Sequence, residues 1–267
     1  MTDLDAYIGQ AIGIITSNRG DERETALRVR KLTQAALDRD AFLLACMDRI
    51  LSSLEKSPGR WRNPPLYFSS DPPVMIRVFY WPPGYQNTPH LHRTWTVTGV
   101  LYNEIVVETF KEATAVCDSL GPSVSIAAHA GNVGYLLPPC VHYLHNSSRL
   151  DSATMHVFST DDQYGSSAAE APRLLPVREG AAAPMNIRRR ALYVLSGMLA
   201  RVREHAAVER LLRIFAMGDA AVKLQAIKAL IKHDAPLACE KSRELEATLR
   251  GQDREALSRI NAALAMS

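Results

Sequence analysis

Two histidines one residue apart, His90 and His92, form the pattern with the clearest chemical meaning in this sequence. Side chains at positions i and i+2 of a β-strand point to the same face, so the two imidazoles can bind one ion together. A third histidine, His142, would complete a three-nitrogen face from another strand and leave the opposite side of the metal open. Neutral imidazoles beside open positions suit a redox-active divalent metal that binds both dioxygen and a substrate. The pattern therefore indicates a metal-dependent enzyme.

The choice of the third histidine depends on spacing. Any one of these residues alone would more often be a surface or hydrogen-bonded histidine than a metal ligand, so the prediction rests on the group. His145 is the rival of His142, but it would face away if the strand continues. Asn146 follows His142 by four positions, and this spacing favours His142.

Composition excludes several classes of protein. The chain has 267 residues, of which 47% are apolar and 22% charged, as expected of a globular protein with one large domain or two modest ones. A net charge of +3, without a basic face, does not favour a nucleic-acid partner. Four widely spaced cysteines argue against a disulfide framework or a structural zinc site. Without a signal peptide or a long apolar run, we expect a cytoplasmic protein with no membrane partner.

The elements that must position the histidines change character along the chain. Apolar residues recur at helical spacing in residues 1–62, which predicts an N-terminal helical segment. Short β-rich runs broken by Pro, Gly and Asn fill residues 63–165 and predict a sandwich or barrel that holds the metal. Residues 166–184 read as a linker. Residues 185–267 return to helical spacing and resemble a HEAT-like repeat, which we interpret as a helical domain that serves homo-oligomerisation or covers one end of the site.

A family resemblance is carried by several motifs between Tyr67 and Ser159. They are Trp81 and Gly84 before His90-Leu91-His92, the segment that ends in Glu108-Thr109, His142 with Asn146, and Thr154-Met155-His156-Val157-Phe158. Together they resemble the cysteine dioxygenase branch of the cupin superfamily, whose members are thiol dioxygenases. The resemblance implies a mainly β fold, a cupin barrel (jelly roll), here with N-terminal helices and a C-terminal all-α domain.

The resemblance also implies a cofactor, a reaction and roles for residues. It implies Fe(II) bound by His90, His92 and His142, with O2 as co-substrate and a small thiol such as L-cysteine as substrate. His156 and Thr154 would be the catalytic residues of a hydrogen-bonded relay. Many cupins add a glutamate ligand shortly after the second histidine, but residues 93–97 hold no carboxylate, so an all-nitrogen site is expected.

Three positions depart from the family pattern. Phe158 replaces the tyrosine that ends the relay, Ser69 replaces the arginine that pairs with the substrate carboxylate, and Val97 replaces the cysteine of a cysteine–tyrosine crosslink. Arg77 would replace the missing cation if it points inward, and the alternation of its strand leaves an outward orientation equally open. Tyr135 or Tyr143 would supply a hydroxyl in place of Phe158. The substrate contacts predicted from this reasoning are Tyr67, Arg77, Tyr135 and Phe158.

These departures keep other functions open. One is an oxidative rearrangement of cysteine in a specialised biosynthetic pathway, with nickel or another divalent metal in place of iron. Another is a dioxygenase that cleaves a carbon–carbon bond. The third is a non-catalytic cupin that binds a small ligand, a function that retention of all three histidines disfavours.

Overall fold

The computed structural model describes residues 1–59, 61–110, 122–160, 186–203 and 205–264. The helices are α1 (Asp3–Ser17), α2 (Glu22–Leu37), α3 (Asp40–Lys56), α4 (Ile187–Leu199), α5 (Ala206–Met217), α6 (Ala220–Leu230), α7 (Ala235–Glu246) and α8 (Gly251–Leu264). The strands are β1 (Tyr67–Ser70), β2 (Pro73–Trp81), β3 (His90–Leu91), β4 (Thr96–Tyr102), β5 (Glu104–Phe110), β6 (Ser123–His129), β7 (Val133–Leu136), β8 (Val141–His145) and β9 (Ser152–Phe158).

The chain divides into two compact units. One contains Met1–Ala45 and Asn63–Met185, and the other contains Cys46–Arg62 and Asn186–Ser267. The predicted N-terminal segment 1–62 is therefore shared between the units, because the division falls within α3. The predicted linker at 166–184 lies outside the described residues.

The strands form two antiparallel sheets in the first unit. The five-stranded sheet has the order β1-β2-β9-β4-β7, and the four-stranded sheet has the order β3-β8-β5-β6. The prediction of a β-rich region is confirmed. The hydrogen-bonded pairs of the described strands form two separate sheets, and a closed barrel is not among them.

Helix α2 packs on one face of the five-stranded sheet, over β4 and β7. Gln34 Nε2 donates to the carbonyl of Gly131 at 2.7 Å, and Arg30 Nε donates to that of Val133 at 2.9 Å. The helix approaches β4 so closely that a Cβ on Gly99 would lie 2.8 Å from Leu37 Cδ1. Because this face is covered, residues such as Val97 and Met155 are fully buried there. The opposite face of the sheet is left to line a cavity.

The N-terminal helices are fixed by local caps and by a buried contact. Thr2 and Asp5 form a capping box at the start of α1, which satisfies two backbone donors of the first turn. The hydroxyls of Tyr7 and Thr33 lie 2.7 Å apart and join α1 to α2. Tyr7 also packs on Phe42, with ring centroids 5.0 Å apart.

The second unit is helical. Asn186, Asp219 and Asp234 cap α4, α6 and α7, each by accepting a hydrogen bond from a backbone N–H three residues on. Helix α6 packs against α4, α5 and α7, so it is the central helix. Arg213 of α5 forms a bidentate ion pair with Glu55 of α3, at 2.8 and 3.0 Å. The predicted C-terminal helices are confirmed, and no described helix is long and apolar enough to cross a membrane.

Candidate metal centre

The three predicted histidines lie together in the first unit. His90 on β3 pairs in register with His142 on β8, and His92 follows directly after β3. Their ring centroids are 4.4 Å apart for His90 and His142, 5.1 Å for His90 and His92, and 5.0 Å for His92 and His142. One ligand atom from each lies within 4.8 Å of the others. A shared ion would draw these nitrogens closer, because metal–nitrogen bonds are about 2.1 Å long.

Backbone carbonyls set the orientation of two of these rings. His90 Nδ1 lies 2.8 Å from the carbonyl oxygen of Thr88, and His142 Nδ1 lies 3.2 Å from that of Cys140. Because a carbonyl only accepts, each Nδ1 carries the proton in the neutral ring, and Nε2 carries the lone pair. Metal-binding histidines are commonly oriented in this way. The donor set therefore fits a divalent metal.

Two asparagines fix the loop that leads into His90. Asn146 is fully buried and donates from Nδ2 to the carbonyls of Trp81, at 2.9 Å, and Leu150, at 2.7 Å. Asn87 Oδ1 accepts a hydrogen bond from the backbone N–H of Leu144 at 2.7 Å. The end of β8 is thereby tied to the end of β2 and to the loop between β2 and β3. The side chain of Asn146, four residues after His142, thus holds the loop that leads to His90 and His92.

The histidines open onto a cavity of about 420 Å³ between the two sheets. Its wall is mainly apolar and includes Phe79, Val100, Ile105, Val107, Leu144 and Phe158. Its polar lining residues include Thr96, Thr98, Thr109, Asn132 and His156. Lys, Arg, Asp and Glu are absent from the described residues that line it. A mainly apolar wall with a few polar groups is typical of a small-molecule site.

A chain of hydrogen bonds crosses the five-stranded sheet beside this cavity. Trp81 Nε1 donates to Thr154 Oγ1 at 2.8 Å, and Thr154 Oγ1 lies 2.8 Å from His156 Nε2. His156 Nδ1 in turn lies 3.2 Å from Thr98 Oγ1. Burial, with a smaller contribution from the three nearby histidines, lowers the pKa of His156 to about 3. His156 is therefore a neutral hydrogen-bonding group.

The predicted substrate contacts have different positions. Phe158 lines the cavity. Tyr135 borders it on β7 but pairs in register with Val97, which places its side chain on the sheet face opposite to Thr96 and Thr98. Tyr67 and Arg77 are not among the described residues that line the cavity. All four roles stay predictions.

The register settles the orientation that the sequence left open for Arg77. Arg77 lies opposite His156 in the β2–β9 pair, so its side chain is on the inner face of the sheet. Its Nε is buried and has no hydrogen-bond partner among the described residues. The hydroxyl of Ser69 donates to the carbonyl of Asp71 at 3.0 Å.

The side chains on the other face of β8 are turned away from the cavity. His145 Nε2 lies 3.8 Å from Glu108 Oε1. Tyr143 lies opposite Glu108 in the β5–β8 pair, and burial, together with that carboxylate, raises its pKa. Tyr143 therefore does not face the histidines and does not supply a hydroxyl to the cavity.

Two threonines on β4 belong to the site but were not predicted from the sequence. Thr96 and Thr98 both line the cavity, and Thr98 is the residue on which the hydrogen-bond chain from Trp81 ends. Two hydroxyls at positions i and i+2 of a strand share one face, and this alternation was the available signal. It was hidden because β4 is buried on both faces.

Comparisons with known proteins find partial similarity to solved structures. No protein-family model matches the chain, and no curated protein matches it. An oxalate oxidase is 19% identical with a TM-score of 0.29, over 33% of this chain and 43% of that one. Oxalate decarboxylase from Bacillus subtilis is also 19% identical with a TM-score of 0.29, over 33% of this chain and 22% of that one. The chain thus spans less than half the length of each, and no family is assigned.

Proposed function

We propose that the protein is a metal-dependent oxygenase that uses O2 to oxidise a small thiol, with a cupin barrel as its fold. The observation that carries the proposal is the group of three imidazoles, His90, His92 and His142, whose ligand atoms lie within 4.8 Å of one another and open onto a largely apolar cavity. Fe(II) is the proposed ion, and L-cysteine is the first substrate to test. When bound, such an ion supplies Lewis acidity toward a thiolate and redox activity toward dioxygen.

The residues of the site favour an anionic sulfur ligand. Three neutral imidazoles leave the charge of a divalent ion uncompensated, so a thiolate binds more readily than a neutral thiol. The apolar wall, including Phe79, Val107 and Phe158, limits the access of water to the reacting atoms. A wall of this kind also matches the carbon skeleton of a small thiol.

The test is metal content followed by turnover. Protein purified without added metal is analysed for iron and nickel, then incubated aerobically with cysteine while oxygen uptake and product mass are followed. Bound iron and a product two oxygen atoms heavier than cysteine are expected. Bound metal and oxygen uptake with no added oxygen in the product would favour the oxidative rearrangement. Absence of bound metal would refute the proposal.

Two histidine variants make the test specific. His90→Ala removes one predicted ligand and should abolish both metal binding and oxygen uptake. His145→Ala is the matched control, because His145 lies on β8 with its side chain on the face opposite to His142. Metal content that falls equally in both variants would show that the three-histidine group is not the binding site.

A further inference from the structure

We propose that the hydroxyl of Thr98 donates a hydrogen bond to the anionic atom of the ligand bound at the metal centre, in an orientation that His156 fixes. This inference rests on the proposed metal centre. It assigns the role of hydroxyl donor to β4, whereas the family resemblance would place that donor at position 158. It makes Thr98 a ligand contact and His156 a positioning residue.

The indole N–H of Trp81, the first donor of the chain, determines which atom donates at each later contact. The indole N–H of Trp81 can only donate, so Thr154 Oγ1 accepts at that contact. Thr154 is fully buried, and His156 Nε2 is the acceptor within reach of its hydroxyl proton among the described residues. A buried hydroxyl without an acceptor is costly. Thr154 therefore donates to Nε2, and the proton of the neutral ring is on Nδ1.

The hydrogen-bond chain keeps this direction from His156 to the cavity. His156 Nδ1–H donates to Thr98 Oγ1 across 3.2 Å. The oxygen of Thr98 is thus occupied as an acceptor, and its own proton has no acceptor among the described residues. Since Thr98 lines the cavity, this proton is available to a ligand there. The chain presents a hydrogen-bond donor to the cavity and does not present an acceptor.

Thr96, two residues earlier on the same face, lines the same cavity but is only 2% exposed. Its Oγ1 is buried and has no hydrogen-bond partner among the described residues. Because that oxygen is buried, Thr96 is not assigned a ligand contact, and Thr98 is the proposed donor on this strand.

The first test is binding of azide to the cobalt(II)-loaded protein, followed by the visible absorption of the metal. Thr98→Val keeps the shape of the side chain and removes the donor, so azide should bind about tenfold more weakly, the effect of losing a hydrogen bond to an anion. Thr98→Ser keeps the hydroxyl and should restore most of the affinity. Thr109→Val is the matched control, because Thr109 also lines the cavity but donates to the carbonyl of Val124.

A double-mutant cycle tests the positioning role of His156. If His156 acts through Thr98, His156→Gln should weaken azide binding in the wild type but have little further effect in the Thr98→Val background. Additive effects would overturn the positioning role. In the metal-free protein, the ¹⁵N shifts of the His156 ring should show a protonated Nδ1 and an unprotonated Nε2. The reverse tautomer would overturn the proposed direction even if a variant proves too unstable to load.

The outcomes separate this inference from the proposed function. Wild-type protein that binds no cobalt would refute the metal centre and the inference with it. Cobalt-loaded protein whose azide affinity is unchanged by Thr98→Val, or equally reduced by Thr109→Val, would overturn the role of Thr98 alone. Absence of an azide complex in the cobalt-loaded wild type would also count against the donor.

Discussion

Replacing Asn146 with alanine should destabilise the first unit and weaken metal binding together. Asn146 is fully buried, and its side chain donates to the carbonyls of Trp81 and Leu150 and accepts from the backbone N–H of Ser148 at 3.0 Å. The alanine variant removes these partners from the carbonyl of Trp81 and the N–H of Ser148, whereas the carbonyl of Leu150 still accepts from the hydroxyl of Ser148 at 2.9 Å. At about 1 to 2 kcal/mol for each of the two orphaned groups, the free energy of unfolding should fall by about 2 to 4 kcal/mol.

The expected loss of metal affinity in Asn146→Ala has a separate cause. Two backbone hydrogen bonds, from Gly84 to Asn146 and from Asn146 to Tyr85, hold the loop before His90 and persist in the variant. Without the side-chain hydrogen bonds of Asn146, these two backbone bonds hold the loop less firmly. The loop that carries His90 and His92 should therefore open more often. Metal affinity should therefore fall by about tenfold, as is common when partners of metal ligands are removed.

The assay combines urea unfolding of the metal-free protein with hydrogen exchange resolved to the loop at 82–92. Ser147→Ala is the matched control, because Ser147 is adjacent and exposed and its replacement should change stability by less than about 0.5 kcal/mol. If the free energy of unfolding of Asn146→Ala falls by less than about 1 kcal/mol, the value of a single exposed hydrogen bond, the role of Asn146 in holding the loop is refuted. Loop exchange equal to that of the wild type would refute the link to the metal site.

Three further predictions concern other parts of the molecule. Thr96→Val should stabilise the unliganded protein by about 1 kcal/mol in thermal unfolding, because it removes a buried hydroxyl without a partner among the described residues; a loss of stability would contradict this. Gly99→Ala should cost about 1 kcal/mol through the contact with Leu37 Cδ1, the end of a flexible side chain, and it should cost less when it is made in a Leu37→Ala background. The ion pair with Arg213 lowers the pKa of Glu55 below its ordinary 4.5. Its small stabilisation should be complete above pH 4.5 and lost as pH falls through the lowered pKa, so the difference in melting temperature between Glu55→Gln and wild type should vanish in acid.

The grouping of the three histidines could be predicted because its signal is local. His90 and His92 are two positions apart, and they lie in one cluster although β3 is only two residues long. Asn146 was informative for the same reason, since it acts on the end of the strand that carries His142. What the sequence could not supply is the register that sets His90 opposite His142, because strand pairing depends on contacts distant in the chain.

The orientation of Arg77 and the role of Thr98 could not be predicted, for a common physical reason. A strand covered on one face shows alternating apolar and polar residues, but a strand buried on both faces does not. Strand β4 has α2 on one face and the cavity on the other, so Val97 and Thr96 are both buried. The residue pattern therefore does not indicate which side chains face the ligand, and only the pairing with His156 does so.

The division of the site between the two sheets lets the residue at position 158 vary without affecting the three histidines. His90 and His142 belong to the four-stranded sheet, whereas Thr154 and His156 belong to the five-stranded sheet. A residue of the second sheet can therefore change without disturbing the ligands.

Phe158 and Thr98 are both near His156, one on the same strand and the other opposite it in register. Because Thr98 already bonds His156 Nδ1, a hydroxyl at position 158 is not needed to complete the hydrogen-bond chain. The phenylalanine then adds to the apolar wall, and the donor reaches the cavity from the neighbouring strand.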